Sequence, residues 1–268
     1  MLHFVPTPIG NLEDITFRSL RLLESAKIIL CEDTRVTKRL LHLLKTKHEI
    51  NPQVEQFISL HSHNEKEILK ELSPSMFDDI VLYVSDAGMP AVSDPGCALV
   101  KYCQEHDVAY DVLPGANAAL LAYASSGFCD TQFLFFGFLP HKGRDRQDKL
   151  REALFNGYVT IIYESPHRVL KLIDQICEIA PEKELFLIKE ATKLHQKTFR
   201  GTAEEIQSTM KAQNIKGEWV VVVKADKKEI GTITVDEILK LDIPKKQAAK
   251  MIAKITGKSP KECYNNLL

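Results

Sequence analysis

The chain has 268 residues, 44% of them hydrophobic and 26% charged, with a formal net charge of −1. This composition supplies core for one large or two ordinary domains and excludes a molecule-wide polyanion-binding surface, so any nucleic-acid contact must come from local patches. The six cysteines form no CxxC pair and no Cys/His cluster at zinc-ligand spacing, and no apolar run reaches the ~20 residues of a membrane span, so a cytoplasmic protein with free thiols, no metal and no membrane partner is expected.

Leu2–Pro6 reads as a first short strand. The polar segment TPIGNLED (Thr7–Asp14) follows, then an amphipathic helix near Thr16–Ala26 with Phe17, Leu20, Leu22 and Leu23 in its apolar stripe. Strands are expected at Lys27–Cys31, Gln56–Leu60, Ile80–Val84 and Tyr110–Leu113, alternating with helices at Thr34–Leu44, Asn64–Leu72 and Cys97–Glu105. A βαβαβαβαβ order implies a mainly parallel sheet covered on both faces.

The second half has another rhythm. Strands are expected at Gln132–Phe136, Tyr158–Tyr163, Glu184–Ile188, Gln196–Arg200 and Glu218–Lys224, with helices running into Phe155 and over His167–Ile179 and Glu204–Ala212. Several of these strands lack an intervening long helix, so a mixed sheet is expected. The predicted organisation is an N-terminal α/β lobe over 1–114, a second over 115–225, a linker over Asp226–Thr234, and a small helical appendage over Val235–Leu268.

The most informative stretch is VSDAGMPAVSDPG (Val84–Gly96), directly behind the apolar run IVLYV. In an open parallel sheet, ligands bind beyond the carboxyl ends of the strands. Gly88 and Gly96 allow close backbone approach, and Pro90 and Pro95 fix the loop. Six other polar segments also follow predicted strands: TPIGNLED, CEDTR (Cys31–Arg35), HSHNE (His61–Glu65), PGANA (Pro114–Ala118), YESPHR (Tyr163–Arg168) and KEATK (Lys189–Lys193). Largely parallel strands bring such ends to one edge, the geometry of a cleft between two lobes. There is no GxxxxGK[ST] and no GxGxxG, which removes a P-loop and a dinucleotide site.

TPIGNLED, CEDTR, SDAGMPAVSDPG and YESPHR, in this order, resemble the rRNA ribose 2′-O-methyltransferases of the tetrapyrrole-methylase-like (class III) methyltransferase superfamily. The resemblance runs from Val5 to the C-terminus. It implies two α/β lobes with S-adenosylmethionine in the cleft between them, a small C-terminal domain, a homodimer, and a decoding-site cytidine of 16S rRNA, free or in the small ribosomal subunit, as substrate. It implies donor contacts from Pro8, from Ser85, Asp86, Ala87, Gly88 and Pro90, from Gly115, Ala116, Asn117 and Ala118, and from Phe136 and Phe138, whose rings can cover the adenine. Three departures stand out: PGANA where PGPSA is usual, KEATK where RELTK is usual, and HSHNE where HEHNE is common.

Methyl transfer to a hydroxyl needs in-line alignment and removal of the hydroxyl proton. Glu32, Asp33 and Arg35 in one lobe and Glu190 and Lys193 in the other carry charge at predicted strand ends, and are the candidate catalytic groups. CEDTR also reads simply as a helix cap with Asp33 near the N-cap. Lys193 reads either as a phosphate-gripping cation or, with a depressed pKa, as the base.

For RNA, two basic stretches qualify: His141–Arg151, and Pro244–Lys261 with six lysines and no acid. Lys246, Lys250 and Lys254 fall on one helix face, and Arg168 and Arg200 are further phosphate candidates. The competing readings are a tetrapyrrole or other small-molecule methyltransferase of the same fold, and a non-catalytic ribosome-associated RNA-binding protein.

Overall fold

The computed structural model describes residues 1–211, 213–226 and 235–267. The first sheet is built from β1 (Leu2–Val5), β2 (Ile28–Cys31), β3 (Gln56–Ser59), β4 (Val81–Val84) and β5 (Tyr110–Val112) in the order β3-β2-β4-β1-β5, all parallel. The helices between them are α1 (Phe17–Ser25), α2 (Thr34–His48), α3 (Glu65–Glu71) and α4 (Cys97–Glu105).

Period-2 alternation explains why both faces are apolar. In β4, Leu82 and Val84 join the core under α1 and α2, while Val81 and Tyr83 join the core under α3 and α4. The helix starts are written locally. Thr16 accepts from the Ser19 N–H at the start of α1, and Asp33 accepts from the Arg35 N–H at the start of α2.

The second sheet has β6 (Phe133–Phe138), β7 (Val159–Glu164), β8 (Glu184–Lys189), β9 (Lys197–Thr202) and β10 (Trp219–Val223) in the order β6-β7-β10-β8-β9. The pair β6/β7 is parallel and the others antiparallel, so this sheet is mixed. On one face lie α6 (Gly143–Phe155), α7 (Val169–Ile179) and α8 (Ala203–Met210); on the other lies α5 (Ala118–Ser126).

Helix α5 has no counterpart among the predicted elements. Its sequence AALLAYASS is small or apolar nearly all round, so it shows no polar-apolar stripe for periodicity to detect. Burial of Ala119 and Ala122 against the second sheet holds it in place. Helix α2 also runs one turn past the predicted Leu44, ending at Glu49 in the left-handed region.

Residues Met1–Ala225 form one compact unit holding both sheets, and the chain passes from the first to the second through Leu113–Asn117. The second unit begins at Asp226. It contains α9 (Val235–Leu239), α10 (Lys245–Thr256) and α11 (Pro260–Asn265), packed around Ile238, Ala249, Ile252 and Cys263. Residues 227–234 of the predicted linker lie outside the described residues. Among the described residues, no helix is long and apolar enough to cross a membrane.

Candidate active site

In the first sheet the chain leaves β1 toward β2 on one side and leaves β4 toward β5 on the other. These connections cross in direction but run over opposite faces of the sheet, α1 on one and α4 on the other, and a crevice opens beyond the carboxyl ends of such a strand pair. Here the two loops are also pinned together. Thr7 and Gly88 exchange backbone hydrogen bonds, each 3.0 Å, and the Thr7 hydroxyl donates to the Ser85 carbonyl at 3.2 Å. The Ser85 hydroxyl donates to the Gly88 carbonyl at 3.0 Å, closing a tight turn. Gly88 sits at φ +84°, and a Cβ there would meet Ile9 Cγ2 at 3.1 Å and the Ala116 carbonyl at 3.5 Å.

Beyond this turn lies a cavity of about 310 Å³. Ile9, Ala87, Gly88, Met89, Val92 and Asp94 wall it from the first sheet, and Phe138, Tyr163, Ser165 and Glu218 from the second. Asn117 and Ala118 line it where the chain crosses over. The walls are mostly apolar, with a few convergent polar groups, as small-molecule sites are.

Two groups of charges flank the cavity. One is acidic: Glu32, Asp86 and Asp94. Burial pushes the Glu32 carboxyl above its usual range, and Asp86 and Asp94 push it further. Burial raises Asp86 too, partly offset by the Asp33 N–H that donates to its Oδ1 at 3.1 Å. Asp94 is raised by burial and then by Asp86. The other group is tied together by hydrogen bonds, one ammonium between two carboxylates. Lys193 Nζ donates to Glu190 Oε1 at 2.9 Å and to Glu218 Oε2 at 2.8 Å, and the Glu218 N–H donates to Glu190 Oε1 at 2.9 Å. Glu190 (φ 52°) and Thr192 (φ 65°) hold left-handed backbone in this turn.

These contacts correct the reading of Lys193 as a base. Burial alone would lower its pKa, but the hydrogen bonds it donates to Glu218 and Glu190 outweigh burial and raise it. Lys193 therefore stays a cation that donates. Glu190 is the converse: burial raises it, and the Glu218 N–H and Lys193 outweigh that and lower it.

The remaining expected site residues separate cleanly. Asp33 caps α2 and pairs with Arg35 Nη2 at 2.6 Å, a bond that holds the Asp33 carboxyl down at about 2. Arg35 itself is exposed, and neither residue lines the cavity. Pro8, Ser85 and Pro90 are buried behind the cavity wall and shape it. Gly115 lies against Pro6, where a Cβ would collide; neither it nor Ala116 lines the cavity. Asn117 Oδ1 is the N-cap of α5, accepting from the Leu120 N–H at 3.0 Å. Phe138 lines the cavity, edge-on to Tyr163 at 5.5 Å. Phe136 is turned to the core under α6 and α7 instead, because a register shift between Phe135 and Gly137 breaks the simple alternation of β6.

Arg168 is not a free phosphate ligand. Its Nη2 pairs with Glu164 Oε1 at 2.6 Å, and Glu164 Oε2 takes the buried Arg146 at 3.1 Å. Arg146 also donates to Gln175 and to the Pro140 carbonyl, both at 3.0 Å, so each nitrogen of the buried guanidinium has a partner. The expected basic stretch His141–Arg151 thus contributes one of its arginines to the interior. Arg200 is exposed on edge strand β9, with its guanidinium over Phe128 at 5.6 Å. Lys246 and Lys250 belong to the second unit and line a hollow there, which Lys254 does not.

Sequence reasoning undervalued Asp94, Glu218 and Tyr163. Asp94 carried no assigned role, yet it lines the cavity, while α4 is capped at Gly96, whose N–H donates to Glu65 Oε1 at 3.1 Å. The signal was present: the loop carries two Ser-Asp pairs, and only one was read as functional.

Comparison with known proteins gives the arrangement a lineage. Residues 1–207 match the model of the tetrapyrrole (corrin/porphyrin) methylases. The chain is 47% identical to a ribosomal RNA small subunit methyltransferase I of Campylobacter fetus, with both chains covered in full. It is 45% identical to the protein of that name from Helicobacter pylori strain J99, covering 98% of this chain and 96% of that one. Its fold is similar to a uroporphyrin-III C-methyltransferase from Thermus thermophilus crystallised with S-adenyl homocysteine, at a TM-score of 0.57 and 16% identity, covering 82% of this chain and 96% of that one. A parallel sheet and a mixed sheet sharing one cleft, matched at this level along the whole chain, mean that the protein belongs to the tetrapyrrole methylase family and, within it, to the group of type I small-subunit ribosomal RNA methyltransferases.

Proposed function

We infer that the chain is an S-adenosylmethionine-dependent methyltransferase that modifies the 2′-oxygen of a cytidine in 16S rRNA. Identity of 47% along the full length of a small-subunit rRNA methyltransferase carries this reading. The cavity fits the donor on its own terms. Gly88 leaves room where a side chain would intrude, Ile9, Met89, Val92 and Phe138 offer apolar cover for an adenine, and Asp94 presents a carboxylate to a cationic centre. When bound, S-adenosylmethionine supplies a methyl carbon made electrophilic by its sulfonium.

The chain's own contribution is positioning and proton handling. Lys193 is held as a donor between two carboxylates, suited to a phosphate or ribose oxygen of the substrate. Glu218 lines the cavity and its carboxylate is the group that takes the hydroxyl proton in this reading, with Lys193 Nζ at 2.8 Å holding it in position. The pair Arg146–Glu164 holds the Ser165 wall in place, since the Ser165 N–H donates to Glu164 Oε1 at 2.9 Å. We keep the homodimer within this proposal. Its support is apolar surface at the edge of the second sheet: Leu120 on α5 is 52% exposed, and Phe133 and Leu134 on edge strand β6 are exposed beside the Tyr123–Phe133 stack. The working place is then the cytoplasm, with the ribosomal small subunit as partner.

The test is methylation of small subunits from a strain lacking the modification. Mass spectrometry should place one added methyl on a cytidine ribose. Methylation of a base, of large-subunit RNA, or of a tetrapyrrole alone would overturn the reading.

A further inference from the structure

We propose that the hollow between α10 and α11 holds one unstacked nucleotide of single-stranded RNA, its base against Tyr264 and its flanking phosphates on Lys246, Lys250 and Lys261. The proposal rests on the rRNA reading above and gives the second unit its share of that function.

The hollow has a volume of about 370 Å³ and is lined by Lys246, Ala249, Lys250, Pro260, Lys261 and Tyr264. Lys246 and Lys250 stand one helical turn apart on α10, so both ammonium groups reach the same rim. Lys261 completes the rim from α11. All three are exposed, and among the described residues none of them forms an ion pair. The neighbouring acid, Glu262, is turned to Lys258 at 3.7 Å. The rim is therefore a concentration of unneutralised positive charge on a chain whose net charge is −1.

The floor distinguishes this feature from an ordinary basic surface. Tyr264 is half-buried and packs against the apolar core of the unit, which fixes its ring. Ala249 is small and leaves the space beside that ring open. An aromatic face framed by cations is the arrangement by which proteins hold single-stranded nucleic acid: the base stacks and the backbone charges are neutralised. Duplex phosphates alone would need the cations and not the ring. The same logic sorts the lysines of α10. Lys254 lies outside the hollow and belongs to the general field, while Lys246 and Lys250 belong to the site.

The experiment uses the full chain and a fluorescein-labelled 12-nucleotide oligouridine, with a duplex RNA of the same length and a polyglutamate peptide as comparison probes. Replacing Lys246, Lys250 and Lys261 together by Ala should reduce the slope of log affinity against log salt by about 2 for the single strand. Tyr264→Leu should weaken single-strand binding about tenfold and duplex binding far less, and Tyr264→Phe should restore it. Leu keeps the apolar contact, and the lysines are exposed, so neither variant removes core. Equal losses for duplex and single strand, an unchanged salt slope, or tighter binding of polyglutamate than of RNA would each overturn the proposal. Donor-analogue affinity and methylation of small subunits are read on the same samples. Failure of wild-type methylation strikes the function inferred above, whereas intact methylation with unaltered RNA binding in the variants strikes only the hollow.

Discussion

The two charge groups beside the cavity use the same side chains to opposite ends. Glu190, Lys193 and Glu218 are internally paired, so each holds the others in position. Glu32, Asp86 and Asp94 lie close together with their carboxyls raised, and backbone hydrogen bonds relieve them, from the Asp33 N–H to Asp86 and from the Asp86 backbone to Glu32. A paired group keeps its geometry and suits the reacting oxygen. An acidic group left in mutual repulsion is stabilised by an arriving cation, and the methyl donor carries one at its sulfonium. The function proposed above assigns the first to chemistry and the second to capture.

The sharpest way to break this division is Lys193→Ala. It should lower single-turnover methylation by ~10²-fold or more while leaving donor affinity within about threefold, since Lys193 does not line the cavity. Isothermal titration and quenched-flow methylation separate the two, and a loss of donor affinity instead would merge the groups. Next in size, Asp94→Asn should weaken S-adenosylmethionine by about tenfold and S-adenosylhomocysteine clearly less, because the product analogue lacks the sulfonium charge. The wild-type affinity for S-adenosylmethionine should also climb with pH, since Asp94 must lose its proton to face a cation and its carboxyl is raised. In Asp94→Asn that climb should flatten.

The smallest effect is on stability. Glu32 has a folded pKa above its ordinary value of 4.5, so the folded state binds its proton more tightly than the unfolded chain does. Its stabilising contribution is complete below pH 4.5 and is lost as pH rises through the raised folded value. At pH 7 the ionised carboxylate is thus a cost, and Glu32→Gln should raise Tm by about 2 °C there. Scanning calorimetry should show the gain shrinking toward pH 4; a variant that is less stable at pH 7 would mean that Glu32 is already neutralised by a partner.

Much of this was legible in the residues. The apolar run of β4 and the punctuated loop behind it located the cavity, because a buried strand followed by glycine and proline has few other uses. The parallel first sheet followed from strict alternation of strand and helix. Strand order was not legible, since the crossovers constrain handedness and not neighbours. The division of charges was hidden for a different reason. KEATK and EWVVVV are separated by some 25 residues, and the pairing of Lys193 with Glu218 exists only once β8 and β10 lie side by side. Arg146 and Arg168 misled because a basic stretch looks the same whether its charges face solvent or a buried Glu164.

The loop after β1 has a consequence for the order in which the molecule is made. Thr7 is paired with Gly88, and the Asn11 N–H donates to Thr192 Oγ1 across 181 residues of sequence at 3.0 Å. Gly10 lies so close to Ala191–Lys193 that a Cβ would collide with them. During translation the first strand therefore emerges long before the partners that lock its loop. The first sheet can assemble once residue 112 has cleared the ribosome, but the lock on the loop waits for the turn at 190–193, and the second wall of the cavity waits for Glu218–Val220. Contacts of such high sequence separation form late and slowly. A nascent chain passes through a stage in which the parallel sheet is complete and the cavity is still open on one side.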